Sequence, residues 1–389
     1  MPQRASPSTL HVAALPFPSS QGTQAALLAI LRAVASDAAR GGETVALLTY
    51  EGGDGRVVLP SNVVHRRTRA PVRNASLRSG PSLAKLAEDA VLARALRDTP
   101  ESHVIAHHVE AGLACIVARR SFTWIAHTAL GPELPLYAPS SRLLAPVLRD
   151  AGEALDRFVA SRAERVLAVS PFLARRFRER LGVEADVIPI PWSAAPPIHD
   201  DERHAARAAL GLADADEVVL YAGNLDHYQG LDTACAALAD LAHRRGPLRW
   251  LVATESDPRP LVDKARALGL APRIVCAPLA RDVDRRRAHA AADVSLVPRR
   301  LEAGVSVKIL ESFAHALPTV VARAATGGFP FEEACVVVED DASAMASAID
   351  ALLTSPFQRV ALAAAGPAYL ATHHTNEACL ASLHRGRVR

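Results

Sequence analysis

Lys308 and Glu311 stand three residues apart in the stretch EAGVSVKILESFAHALP, residues 302–318. On a helix that spacing puts both side chains on one face. Gly304 precedes them and reads as the opening of that helix. The first N–H groups of a helix lack partners and carry the positive end of its dipole, so an anion is attracted there. A lysine one turn in adds a mobile point charge suited to phosphate. A carboxylate next along accepts hydrogen bonds from sugar hydroxyls. Together these residue types suit a nucleoside diphosphate with its ribose. Taken alone, the pair is equally a solvated lysine–glutamate contact worth roughly a few tenths of a kcal/mol.

The elements that must position these groups form a repeating pattern. Short apolar runs at 10–15, 44–49, 103–106, 123–127, 165–169 and 186–190 alternate with helical patterns, the first at 25–39. Segment 188–204, IPIPWSAAPPIHDDERH, is rich in proline and then in charge, and reads as a linker. A second series follows, with strands at 218–222, 249–253, 273–276, 294–297, 319–322 and 335–338 and helices at 232–244, 260–268 and 343–354 between them. Apolar strands without a polar face indicate parallel sheets covered on both sides. The predicted fold class is therefore α/β, with two Rossmann-like, doubly wound parallel-sheet domains in tandem, over 1–193 and 194–366. Ligands of such sheets bind at the carboxyl ends of the strands, so the expected site is a cleft between two facing sheets. Segment 55–80 has scattered arginines and few apolar anchors, and reads as a mobile crossover or loop.

Composition sets limits on partners. A length of 389 residues suits two domains, and the 50% hydrophobic content supports sizeable cores. A net charge of +3 is small for this length and argues against nucleic acid as a partner. Cys115, Cys235, Cys276, Cys335 and Cys379 are far apart and form no CxxC pair, which predicts buried thiols in a reducing compartment, with no zinc site. No signal-like apolar run precedes the first strand, and no window is long enough to span a bilayer. The expected location is cytoplasmic.

Eight segments carry a resemblance. HVAALPFPSSQGTQ leads into ARGGETVALLTY, followed by HVIAHHVEAG and then WIAHTALGPELPLY. Next come RAERVLAVSPFLARRFRERLG with VIPIP, then VVLYAGNLDHYQGLD, then AADVSLVPRRLEAGVSVKILESFAHALPTVVA. In this order, from about residue 10 to residue 353, they resemble retaining glycosyltransferases of the two-Rossmann-domain (GT-B) type, in the broad family 4 group. The resemblance implies a nucleotide-diphosphate sugar as donor, held mainly by the second domain, and an acceptor held mainly by the first. It implies transfer without a metal or other cofactor, and a helix within 367–389 that packs back on the first domain.

The resemblance also assigns residues. Glu311 matches the second glutamate of the E-x7-E motif, which usually binds the donor ribose, and Lys308 lies on the phosphate side. The first glutamate falls on Ala303, with Glu302 beside it. Asn224 and Gln229 stand where the family often carries an arginine and a lysine on the diphosphate. Neither is charged, so Lys308, the helix N-terminus and Arg299 or Arg300 would have to compensate the phosphates. A branch of the family has a similar YQG sequence with a lysine at the position of Lys308. Gly223 and Gly230 flank that loop. Gly304, Gly327 and Gly328 complete the donor side, with Glu332 and Glu333 following as acidic residues, and Ala253-Thr254-Glu255 replaces a glycine-rich strand end. His127 matches a histidine near the reacting sugar, and Gly22 with Thr23 matches the loop after the first strand. His107, His108 and Glu110 match an HHxE segment on the acceptor side. As neighbours on an extended chain, His107 and His108 should point oppositely, so no metal site is expected there.

The catalytic candidates are thus His127, Lys308 and Glu311. Residues 157–180 read as a basic helix carrying Arg157, Arg162, Arg165, Arg175, Arg176, Arg178 and Arg180 with Phe158, Phe172 and Phe177 interleaved. Such a face suits peripheral contact with an anionic membrane, or simply solvent. The leading expectation is sugar transfer, with retention, to a glycan, lipid-linked or small-molecule acceptor. Two alternatives stay open: a non-catalytic member with a degenerate donor site, and a nucleotide-sugar epimerase on the same fold.

Overall fold

The computed structural model describes residues 9–18, 22–53, 57–69, 83–137, 144–302 and 304–385. The chain divides into two compact units, Met1–Pro191 with Asn376–Arg389, and Trp192–Thr375. Among the described residues, no helix is long and apolar enough to cross a membrane.

The first unit is built on a parallel sheet of strands β1 (Thr9–Pro16), β2 (Val45–Tyr50), β3 (Val63–Thr68), β4 (His103–His107), β5 (Phe122–Ala126), β6 (Arg165–Ala168) and β7 (Asp186–Val187), in the order β3-β2-β1-β4-β5-β6-β7. The central strands are buried on both faces, as their unbroken apolar runs require. Strand β3 was not expected. It lies at the sheet edge, where VVHRRT keeps its arginines partly exposed, so its apolar signal is confined to two residues. The rest of the predicted loop from 70 to 80 lies outside the described residues.

The expected basic helix over 157–180 is not one element. Helix Ala145–Ala160 ends there, β6 intervenes, and a new helix Pro171–Arg176 starts. Ser170 caps it by accepting from the Leu173 N–H at 3.2 Å, and Pro171 is pre-set for a first helical position. The charges are largely engaged within the unit. Arg176 and Arg180 both pair with Glu153, at 2.7 and 3.2 Å, and Arg178 pairs with Glu184 at 3.0 Å. Phe177 is fully buried, stacked on Trp124 at 5.4 Å.

The chain returns to the first unit through helix Asn376–His384. Arg165 pairs with Asp186 at 2.7 Å and donates to the carbonyls of Ser382 (2.7 Å) and Leu383 (3.2 Å), fastening that helix to the β6–β7 edge. The boundary expected at 366/367 falls inside a helix of the second unit, Pro356–His373. Gly366, Tyr369 and Leu370 are buried around Pro367, and Tyr369 meets Phe331 edge-on at 5.2 Å. Packing on both sides of the proline holds the helix together.

The second unit has a parallel sheet of β8 (Glu217–Ala222), β9 (Leu248–Ala253), β10 (Ile274–Ala277), β11 (Val294–Val297), β12 (Thr319–Ala322) and β13 (Val336–Val338), in the order β10-β9-β8-β11-β12-β13. Val219, Tyr221, Trp250, Val252, Leu296 and Val320 fill the core on one face. Val218, Leu220, Leu251 and Ala253 fill it on the other. The sheet is thus doubly wound, and its order reverses between β8 and β11, where open α/β sheets bind ligands. Of the five cysteines, Cys276 on the edge strand β10 is exposed, against expectation, and the other four are buried.

Candidate functional site

Lys308 lies beyond the end of β8. Its helix, Val307–Ala314, begins after Ser306 and not at Gly304. Gly304 instead sits in the approach to it, its carbonyl accepting from Arg299 at 3.4 Å, and the Ser306 N–H donates to the Ala325 carbonyl at 3.0 Å. That last bond ties the approach to the loop containing Gly327 and Gly328, both at positive φ (64° and 82°). Ala303 lies outside the described residues.

The Lys308 ammonium donates to Gln229 Oε1 at 3.0 Å and lies 5.7 Å from the centre of the Tyr221 ring. Gln229 Nε2 in turn donates to Asn224 Oδ1 at 2.5 Å, and Asn224 Nδ2 donates to Asp226 at 2.6 Å. The structure therefore joins Lys308, Gln229, Asn224 and Asp226 in one polar chain, with Gly223 against the Lys308 arm and Gly230 next to Gln229. Among the described residues, Lys308 forms no ion pair. Burial, and then the Arg299 charge, lower its pKa from 10.5 to about 7, against the smaller pull of Glu311 and Asp226.

Two glycines make this arrangement possible. A Cβ on Gly223 would stand 2.1 Å from Lys308 Cε. A Cβ on Gly230, which has φ +70°, would stand 1.9 Å from the Pro298 carbonyl oxygen. Gly230→Ala is therefore expected to lower thermal stability, through left-handed strain of about 1–2 kcal/mol plus the clash with backbone. Gly223→Ala should instead displace the lysine arm. Calorimetric melting of both variants checks this: an unchanged melting point for Gly230→Ala would contradict the close approach.

Glu311 does not meet Lys308. It accepts from Arg285 Nη1 at 3.0 and 3.3 Å, from helix Asp282–Ala291, so the simple Lys308–Glu311 surface pair is excluded. Burial alone would raise the Glu311 pKa, but Arg285, His289 and His315 together hold it below its ordinary value. His289 and His315 stack at 4.4 Å, with His289 Nδ1 bonded to the Arg285 carbonyl at 2.8 Å. The sequence reading missed Arg285. Its only signal was the i,i+4 spacing to His289 inside an arginine-rich run. Of the two arginines invoked to neutralise phosphate, Arg300 is engaged by Asp340 at 2.6 Å, and Arg299 stands 5.9 Å from the centre of the Tyr228 ring. Glu332 is paired with Arg323 at 3.1 Å.

In the first unit, His107 ends β4 and is fully buried, while His108 starts the next helix at φ 69°. That left-handed turn overrides the alternation of an extended chain, and both rings come to His127. His107 Nδ1 lies 3.0 Å from His127 Nε2, and the His108 ring stacks on His127 at 4.7 Å. Burial lowers the pKa of all three, that of His108 to about 3. His11 on β1, absent from the sequence reading, joins the line with Nδ1 at 2.9 Å from His107 Nε2. Gly22 is exposed at the start of helix Gly22–Arg40, and Thr23 beside it is partly buried. Among the described residues, no group of three or more His, Cys, Asp or Glu could hold a metal ion.

Residues 7–191 match the family model described as glycosyl transferase 4-like domain, and residues 216–355 match the one described as glycosyl transferases group 1. The chain belongs to the group 1 glycosyltransferases. The chain is 26% identical over 261 residues to the D-inositol 3-phosphate glycosyltransferase of Rhodococcus erythropolis, covering 62% of this chain and 58% of that protein. Matches to such curated relatives span only 39% to 58% of the relatives' own length. Among solved structures, the sucrose-phosphate synthase of Thermosynechococcus elongatus superposes with a TM-score of 0.76 at 19% identity, covering 98% of each chain. Anabaena HepE in complex with UDP-glucose gives a TM-score of 0.72 at 16% identity, covering 97% of this chain and 98% of that one. The likeness establishes the GT-B fold, two Rossmann-like domains with parallel sheets of seven and six strands among the described residues.

Proposed function

We propose that this glycosyltransferase moves a sugar from a nucleoside-diphosphate sugar to a hydroxyl-bearing acceptor, with retention, and needs no metal for the transfer. The observation that carries this is Lys308: a desolvated ammonium that forms no ion pair among the described residues, laid against Gly223 at the carboxyl end of β8. Such a group gains most from an anion. As the glycosidic bond breaks, negative charge builds on the leaving diphosphate, and a preorganised cation stabilises it more than it stabilises the ground state. Gln229 and Asn224 supply hydrogen bonds to that site and no charge. Glu311, ionised and fixed by Arg285, is an acceptor-only group suited to ribose hydroxyls. His127, kept neutral by burial, hydrogen-bonds the transferred sugar. The binding of UDP-glucose by HepE supports a uridine donor. The D-inositol 3-phosphate transferases support a small polyhydroxylated acceptor.

The test is UDP release from UDP-glucose, followed with and without inositol phosphates and simple glycosides, with the product anomer read by proton NMR. Acceptor-dependent release with an axial product linkage is expected. Release of free altered sugar without any acceptor would favour the epimerase reading and overturn this one.

A further inference from the structure

His11, His107 and His127 form a buried line across three neighbouring strands of the first unit. His11 Nδ1 faces His107 Nε2 at 2.9 Å, and His107 Nδ1 faces His127 Nε2 at 3.0 Å. The three rings are 0%, 0% and 6% exposed. A neutral imidazole carries one N–H, so one of its nitrogens donates and the other accepts. Two consecutive links through His107 therefore force a single direction along the whole line. If His127 donates to His107, then His107 donates to His11, and His127 Nδ1 is left as a bare acceptor. If His11 donates to His107, the line runs the other way and His127 Nδ1 carries hydrogen. That nitrogen is buried and has no hydrogen-bond partner among the described residues, and the same holds for His108 Nε2 on the ring stacked against it. A buried polar atom left unmatched is costly, because it has given up its water and gained no partner. Two of them at the carboxyl ends of β4 and β5 mark a place where a polar ligand group restores the loss.

We propose that His11 and His107 are positioning residues that set the tautomer and ring rotation of His127, and so decide whether it accepts from or donates to a sugar hydroxyl. This deepens the reading of His127 given above and rests on it for its functional consequence. The line itself is independent of that reading. Reversing the direction moves each hydrogen within its own link, and the three rings stay neutral only if His127 Nδ1 also gains a proton as His11 Nε2 gives one up.

The test uses the full chain labelled with ¹⁵N-histidine, in which the two tautomers give distinct nitrogen shifts, alongside kinetics with UDP-glucose. His127 is expected in one tautomer in the parent. His11→Leu should convert it to a mixture and lower kcat by about tenfold or more, the scale of a misplaced contact, with little change in KM for the donor. His11→Asn, which keeps a hydrogen-bonding atom near the place of Nδ1, should restore both the single tautomer and kcat, and it guards against a mere folding defect. A His127 tautomer unaffected by His11→Leu would overturn the proposal. A tautomer change in His11→Leu without loss of kcat would overturn the positioning role. Absence of sugar transfer in the parent would instead refute the functional reading, while the nitrogen spectrum still reported on the line.

Discussion

Lys308→Met is expected to cut sugar transfer by about 10²–10³-fold, the cost of removing one preorganised charge stabiliser, or roughly 3–4 kcal/mol of barrier. The same change should leave the fold intact and raise the melting temperature. The lysine amine is desolvated, its charge is matched by no ion pair among the described residues, and its pKa has fallen to about 7. An apolar side chain of similar length removes a burial penalty of about 1–3 kcal/mol. The sign follows from proton counts. Between about pH 7 and the ordinary value of 10.5, the unfolded chain binds more protons at this residue than the folded one, so stability rises with pH across that window. The gain from Lys308→Met should therefore be greatest at and below pH 7 and fade toward 10.5. Steady-state rates and calorimetric melting at several pH values check both halves. A variant that loses stability while retaining activity would reverse the account.

The second large effect concerns pH and the donor. Only the protonated lysine attracts a diphosphate, and the phosphates in turn favour its protonation. With a free-state pKa of about 7, UDP-glucose should bind with uptake of one proton at alkaline pH, and affinity should fall about tenfold per unit above pH 7. UDP-glucose is the appropriate probe because its diphosphate has no second ionisation in that range, unlike a terminal phosphate with a pKa near about 6. Lys308→Arg keeps its charge throughout, so its binding curve should be flat over the same interval. Titration calorimetry in two buffers of different ionisation enthalpy measures the proton uptake directly. A flat curve for the parent would contradict the shifted lysine.

Much of the fold was legible because parallel strands buried on both faces leave unbroken apolar runs. Val294–Val297 and Thr319–Ala322 form the strands expected of them, residue for residue. Edge elements were harder. Val63–Thr68 carries its arginines on a partly exposed edge, and HRR gives no apolar period to follow. The basic segment was misjudged because charge spacing along the chain does not reveal which arginines find carboxylates in space. Glu153, outside that segment, takes two of them. At the candidate site, Lys308, Gly223 and Gln229 could be nominated one by one, since glycine turns and a helix start have local signatures. Their joining into one chain depends on a side chain crossing from one element to the end of another strand. The pairing of Glu311 with Arg285 and the place of His11 are likewise long-range facts, set by helix packing and strand order, and no local pattern encodes them.

The claim at the centre is that Lys308 holds the diphosphate. Its most direct test is thermal melting of the parent and of Lys308→Met at pH 6.5, each with and without UDP-glucose. Ligand at about a hundred times its dissociation constant stabilises a protein by roughly 2.7 kcal/mol, a shift of a few degrees. The account predicts that shift in the parent and its loss in the variant at the same ligand concentration. An equal shift in both proteins would contradict it, because the donor would then be held without the lysine.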